Sequence, residues 1–204
     1  MTLRHSLTGP SLPDMSLGFF RALVRAPGSV GAIWPSSPFL AEAIVRASAI
    51  QNAACVIELG PGTGAFTGHI LSSLHKDARF AAIEKCPILT RSVSKKFPHA
   101  LIIEGCATEL GSHLEKENMP KPNAIVSGLP WAAFSESLQN GILKEVEAAL
   151  SSDGVFSTFA YYGPHHLPAG RRFRKTLGQT FGDIRRMPVV VRNFPPAFVY
   201  TCRR

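Results

Sequence analysis

The sequence lacks any apolar run approaching the roughly 20 residues that span a bilayer. Its apolar runs are short, among them Phe19-Phe20 with Leu23-Val24, Ala53 to Ile57 and Val189 to Val191. The N-terminus has neither the continuous apolar region nor the cleavage site of a secretory signal. A protein kept in the cytosol, and still able to lie on a membrane, is the expectation. Cysteine is scarce: Cys55, Cys86, Cys106 and Cys202 are scattered and form no C-x-x-C pair. Three sit in or beside apolar strand-like runs, where a thiol behaves as a small hydrophobe. That argues against a disulfide scaffold or a metal site, and it fits a reducing compartment. There are no internal repeats and no low-complexity tract. Acidic residues are nearly missing from the last fifth of the chain. Residues 164–204 hold nine basic side chains and one acidic one, Asp183, an excess equal to the net charge of the whole chain, +8. A surface serving solubility alone mixes its signs, so an anionic partner is expected, either nucleic acid or an anionic membrane face.

What is present suffices for one α/β domain: 204 residues, 45% of them apolar. Residues 1–13 read as a lead punctuated by Gly9, Pro10 and Pro13. Residues 16–25 form a short amphipathic helix, with Leu17, Phe20, Leu23 and Val24 on one side and Arg21 and Arg25 on another. A second helix starts at Ser37-Pro38 and runs to about Ala49. From residue 54, strands at 55–59, 80–83, 100–103, 124–127 and 155–161 alternate with helices at about 65–74, 87–96, 109–117, 135–150 and 165–180. Strands separated by helix-length crossovers imply a parallel sheet covered on both faces. Two last strands, about 184–192 and 197–203, are joined by Asn193-Phe-Pro-Pro196, too short for a parallel crossover, so they form an antiparallel hairpin. The expected architecture is a mostly parallel seven-stranded sheet with a C-terminal hairpin, residues 51–204. Residues 1–50 are a helical extension of the same domain.

Glu58-Leu-Gly-Pro-Gly-Thr-Gly64 follows a β-rich run and opens a helix. Glycines allow close backbone approach to a ligand. Alone this pattern is shared with dinucleotide enzymes and tight turns, but two carboxylates sharpen it. Glu58 is suited to accept from a cationic α-amino group, and Glu84 ends the second strand, where a carboxylate takes both ribose hydroxyls. Glu58 and Gly60 are read as serving a ligand rather than filling the core.

These residues resemble the small bacterial phospholipid N-methyltransferases and, more distantly, the ribosomal RNA adenine dimethylases, all of the class I methyltransferase fold. The likeness extends over residues 17–203. It is carried by Gly31-Ala-Ile-Trp-Pro-Ser-Ser37, the glycine loop, Glu84, Ser127-Gly-Leu-Pro-Trp131 and Arg192-Asn-Phe-Pro-Pro-Ala-Phe-Val-Tyr200. It implies S-adenosylmethionine as cofactor, bound around Glu58, Gly60, Pro61, Gly62, Thr63, Gly64, Glu84, Lys85, Cys106, Ala107, Ser127 and Gly128. Relatives often carry Gly-Asp-Ala where this chain has Gly105-Cys-Ala107, which leaves the adenine contact to backbone groups.

Adenine dimethylases carry Asn-Leu-Pro-Tyr after the fourth strand, the Asn carbonyl accepting from the base amine. Gly128-Leu129-Pro130-Trp131 has no such acceptor, and the chain stops at the hairpin where those enzymes continue. Both absences favour a lipid amine, such as phosphatidylethanolamine on the way to phosphatidylcholine. Leu129, Pro130, Trp131, Tyr161 and Tyr162 are the candidate acceptor-pocket residues, because aromatic faces hold a methylated cation. His165 and His166 are candidate proton relays. Helix 16–25 either lies on an anionic membrane, giving peripheral attachment to the inner face of the cell membrane, or packs on the domain. Neither nucleic acid nor a metal is expected as a partner. An RNA or small-amine methyltransferase, and a non-catalytic binding protein of this fold, stay open as alternatives.

Overall fold

The computed structural model describes residues 36–204, so helix 16–25 and residues 31–35 of the first motif lie outside the described residues. Among these residues seven strands form one sheet: β1 (Cys55–Leu59), β2 (Arg79–Glu84), β3 (Leu101–Glu104), β4 (Ala124–Ser127), β5 (Val155–Tyr161), β6 (Asp183–Arg186) and β7 (Ala197–Arg203). Their spatial order is β3-β2-β1-β4-β5-β7-β6. β1 to β5 pair in parallel, and β7 runs antiparallel between β5 and β6. The switch point falls between β1 and β4, each of which has its first partner on the other side; a crevice opens at the carboxyl ends there.

β1 and β4 are buried at every residue, as strands covered on both faces must be. Side chains alternate between faces. Cys55, Ile57 and Leu59 point into one core with Trp131, Leu143, Phe156 and Phe173. That core is covered by α4 (Leu110–Lys116), α5 (Glu136–Ala149) and α6 (Pro168–Thr180). Val56 points into the other core, under α1 (Pro38–Ala47) and α2 (Thr67–Ser73). Glu58, two residues on from Val56, shares that face. α3 (Pro87–Lys96) packs on β2 and β3.

α1 begins as its sequence suggests: the Ser37 hydroxyl accepts from the Leu40 N–H, with Pro38 in the first turn. Its start is also tied to the far end of the chain. The buried Asn193 accepts from the Ser37 N–H at 2.9 Å and donates to the Pro195 carbonyl at 2.7 Å. The Arg192 guanidinium lies 3.9 Å from the Phe39 ring centre.

The C-terminal pair departs from expectation in detail. β6 ends at Arg186, and ten residues rather than four lead to β7. The ladder resumes only at Val190, which bridges to Ala197. Arg186 opposes Tyr200, so three residues face two between these pairs. The extra one coincides with Pro188, which has no N–H to give the ladder and so favours a bulge.

Candidate active site

Glu58, Glu84 and Gly128 stand at the carboxyl ends of β1, β2 and β4. The strand backbones run on into the loops: Gly60 N–H donates to the Ile83 carbonyl, Gly105 N–H to Glu84, and Gly128 N–H to Leu59. Three chain reversals are thereby held side by side. Gly60, Gly62 and Gly64 all have positive φ, at 71°, 59° and 80°, where a side chain costs about 1–2 kcal/mol.

Glu58 is fully buried. Its Oε2 accepts from the Thr67 hydroxyl at 2.7 Å, while its Oε1 has no hydrogen-bond partner. Burial pushes the carboxyl from 4.5 up to about 8, against the Thr67 bond that lowers it. Glu84 is 3% exposed and accepts from the backbone N–H groups of Gly62 at 3.1 Å, Cys86 at 2.9 Å and Lys85. Burial raises its pKa too. Two carboxylates use four lone-pair sites each, so both keep capacity for a ligand. Thr67 is a residue that sequence reasoning missed; its i+9 spacing from Glu58 carries no signal until α2 folds over β1.

The reading of Glu58 and Gly60 as lying outside the packed interior needs correction. Glu58 has no exposed surface, and a Cβ on Gly60 would stand 2.6 Å from Leu129 Cδ2. Substitution at either position touches the fold as well as any ligand. Around them Pro61 is buried and Thr63 exposed, with its carbonyl accepting from Lys96 Nζ at 3.3 Å. Lys85 is exposed. Cys106 is half-buried, its sulfur accepting from the Thr108 hydroxyl at 3.0 Å, and Ala107 is buried beside it. All four cysteines are free thiols.

The loop after β4 also corrects the sequence reading. Trp131 is buried, stacked on Phe173 at 4.9 Å with Phe134 and Phe156 edge-on. Its indole N–H points at the Ser127 and Thr158 hydroxyls, 3.1 and 3.0 Å away. Face and N–H are both occupied, so Trp131 is a core residue and offers no platform to a substrate. Ser127 is equally committed: its hydroxyl also accepts from the Leu129 N–H. It organises the loop instead of meeting a ligand. Gln139 completes the brace by donating to the Trp131 carbonyl at 2.7 Å. Thr158 and Gln139 carry no motif and were not foreseen. Leu129 and Pro130 remain at the crevice, half-buried.

Tyr161 is half-buried, and burial pushes its phenol up to about 12. Tyr162 is 49% exposed. His165 Nδ1 accepts from the Gly163 N–H at 3.2 Å, and Nε2 lies 3.4 Å from an Arg186 nitrogen. A neutral imidazole has one acceptor nitrogen, so the ring takes one of these two donors at a time, and that acceptor is engaged either way. Its ring stands 3.9 Å from that of His166, which is exposed.

No family model matches the chain. It is 30% identical over 178 residues to the ornithine lipid N-methyltransferase of Singulisphaera acidiphila, covering 86% of this chain and 88% of that one. The chain belongs to that enzyme's family. It is thus an S-adenosylmethionine-dependent N-methyltransferase, and the non-catalytic alternative is set aside. The methyltransferase is also 32% identical over 151 residues to ribosomal RNA small subunit methyltransferase A of Prochlorococcus marinus, but it spans only 48% of that protein. Its fold matches an O-methyltransferase from Bacillus cereus solved in complex with SAH, with a TM-score of 0.65 at 12% identity over 97% of this chain and 94% of that one. The Geobacter metallireducens precorrin-6y C5,15-methyltransferase gives a TM-score of 0.60 at 18% identity over 80% and 87%. The site fits the cofactor. A buried carboxylate oxygen without a partner suits a cationic amine, and a second carboxylate with spare acceptor sites suits ribose hydroxyls. Among the described residues no three His, Cys, Asp or Glu side chains are grouped to hold a metal.

Proposed function

We propose that this methyltransferase modifies the amine of a phospholipid headgroup at a membrane surface, phosphatidylethanolamine toward phosphatidylcholine. The observation that carries the choice of lipid over RNA is Gly128. A Cβ there would stand 2.6 Å from the Gly60 carbonyl oxygen. Neither an asparagine nor any other amide-bearing side chain fits without moving backbone, so position 128 has no side-chain acceptor for a base amine. The lipid-modifying relative, matched over nearly its whole length, supports the same choice.

In this reading Glu58 Oε1 accepts from the cofactor's ammonium, and Glu84 takes the ribose. Gly60, Pro61, Gly62, Thr63, Gly64 and Gly128 shape the cradle, with Lys85, Cys106 and Ala107 beside the adenine. S-adenosylmethionine, when bound, supplies a methyl group activated by its sulfonium. The chain's own part is positioning and exclusion of water. A headgroup ammonium, with a pKa near roughly 10.4 for the lysine type, must lose its proton before it can attack. Desolvation between Leu129, Pro130 and Tyr161 lowers that pKa. Tyr162 offers an aromatic face to the increasingly methylated cation.

No helix of the described residues is long and apolar enough to cross a membrane. Peripheral attachment to the inner face of the cell membrane, with helix 16–25 as a contact, belongs to the same proposal. The relative's substrate favours a second reading, in which the acceptor is ornithine lipid. Expression in a host without methylated phospholipids, followed by lipid mass spectrometry, separates the two by which lipid class gains methyl mass. Purified protein should label amine-bearing lipid in mixed micelles and leave ribosomal RNA unlabelled. Strong RNA labelling with no lipid product would reverse the assignment.

A further inference from the structure

The β6–β7 end of the sheet carries a cavity of about 440 Å³, lined by His165, His166, Arg171, Arg174, Arg186 and Tyr200, with Ile184 in its wall. Arg171 and Arg174 are three residues apart on α6, so their heads share one face. The Arg174 guanidinium lies 6.0 Å over the Tyr200 ring, and that of Arg186 lies 4.8 Å over Phe198 and 6.0 Å over Tyr162. Aromatic packing therefore aims the cations.

Among the described residues no acidic side chain lines the cavity. Asp183, the one acid of the C-terminal segment, pairs with Arg185 at 3.0 Å. None of Arg171, Arg174 and Arg186 makes an ion pair among the described residues. α6 starts beside the cavity with no side-chain cap and no acidic residue in its first turn, so its dipole adds positive potential. His165 titrates below its usual range through burial, then the charges of His166 and Arg186. Cations gathered without a counter-charge repel one another, and a bound anion relieves this. The guanidinium fork matches a tetrahedral oxyanion.

The rim is apolar. Leu167 is 60% exposed and Val191 74%, and Tyr162 is on the same loop as Leu167. The Tyr162 N–H donates to the Pro196 carbonyl at 2.7 Å, tying that loop to the one carrying Val191. Exposed apolar and aromatic side chains around arginines match the headgroup layer of an anionic membrane.

We propose that this cavity binds the phosphate oxyanion of an anionic lipid headgroup, seating the C-terminal edge of the sheet on the membrane. The inference rests on the lipid reading above, but it concerns a surface beside the cofactor crevice: His165 and His166, on the loop after β5, form its near wall, while Arg186 and Tyr200 stand on β6 and β7. Two strands, β5 and β7, separate β4 from β6, roughly 14 Å at about 4.8 Å per strand. The phosphate held here belongs to a neighbouring lipid and not to the molecule being methylated.

Flotation of the full-length protein with phosphatidylglycerol vesicles tests this, with melting curves as the check on folding. Arg171→Gln/Arg174→Gln should weaken vesicle binding by roughly 10- to 30-fold. Lys116→Gln/Lys121→Gln, an equal charge loss among exposed residues away from the cavity, should change it by less than about twofold. Equal losses in both pairs would overturn a discrete site. Unchanged flotation of the arginine variant would overturn it too, even if phosphorus NMR showed that inorganic phosphate binds the wild type. A vesicle effect matched by equal loss of RNA binding would assign the surface to nucleic acid and sink the proposal. Methyl transfer to lipid in detergent micelles is read separately. Its absence, with the vesicle effect intact, would remove the substrate assignment and leave this site standing.

Discussion

At the carboxyl ends of β1 and β2 the methyltransferase buries two carboxylates, whereas at the β6–β7 end of the same sheet it holds arginines in solvent. The first region is made by backbone. Glu84 accepts from the backbone N–H groups of Gly62, Lys85 and Cys86, Gly128 presses on the Gly60 carbonyl, and three glycines occupy left-handed conformations. The second is made by side chains resting on aromatic rings, with little backbone constraint. A backbone-built site tolerates few substitutions and recognises one shape. A site of exposed arginines tolerates many and recognises charge. That division suits an invariant cofactor on one side and a fluid lipid surface on the other.

The contrast breaks most sharply at Gly128. Gly128→Asn should cost about 1–3 kcal/mol of stability through overpacking and abolish cofactor binding by calorimetry, without conferring RNA methylation. Gly62→Ala, in open space, should pay only for its positive φ, about 1–2 kcal/mol. If Gly128→Asn melts like the wild type, the backbone at that loop is far softer than described.

Removing a hydrogen-bonded charge comes next. Glu84→Ala should weaken S-adenosylmethionine binding by about 1.5–3 kcal/mol, and the Arg171→Gln/Arg174→Gln pair should leave it unchanged. Calorimetry on both variants shows whether the two regions are independent.

Glu58 gives a pH signature. A carboxyl raised from 4.5 to about 8 holds its proton in the folded state while the unfolded chain has lost it. Stability therefore falls as pH rises from about 4.5 through about 8. Without cofactor, Glu58→Gln should melt higher than the wild type by a few degrees, where about 1 kcal/mol corresponds to roughly 2–4 °C. The gap should widen across that window and level off above it. A constant gap at every pH would mean that Glu58 is ionised in the fold.

The smallest effect is expected on the acceptor side. Tyr162→Ala should leave cofactor affinity intact and slow lipid methylation about two- to fivefold, the scale of an exposed cation–π contact. A change in cofactor affinity with no change in turnover would move Tyr162 out of the acceptor pocket.

Much of this was legible beforehand, and for local reasons. Cys55–Leu59 and Ala124–Ser127 read as strands because continuous short apolar runs mark a doubly covered sheet. Pro38 after Ser37 marked a helix start. The strand over 184–192 was too long because the continuous β-branched run Val189–Val191 beyond Pro188 imitates a strand, while the missing N–H at Pro188 breaks the ladder. Trp131 was misjudged for a different reason. A tryptophan at the end of a strand can turn to the crevice or to the core, and only the hydroxyls of Ser127 and Thr158 decide which.

The sequence by itself determined the order of elements, the glycine turn after β1, the acid at each of two strand ends and the basic excess of residues 164–204. These follow from residue type and short-range spacing, which local chain physics reads directly. Only the tertiary structure decided that Glu58 keeps an oxygen without a partner, that Gly128 has no room for an asparagine, and that Arg171, Arg174 and Arg186 converge on one cavity. Each depends on groups tens of residues apart meeting when helices close over the sheet, and burial and repulsion exist only once they have met.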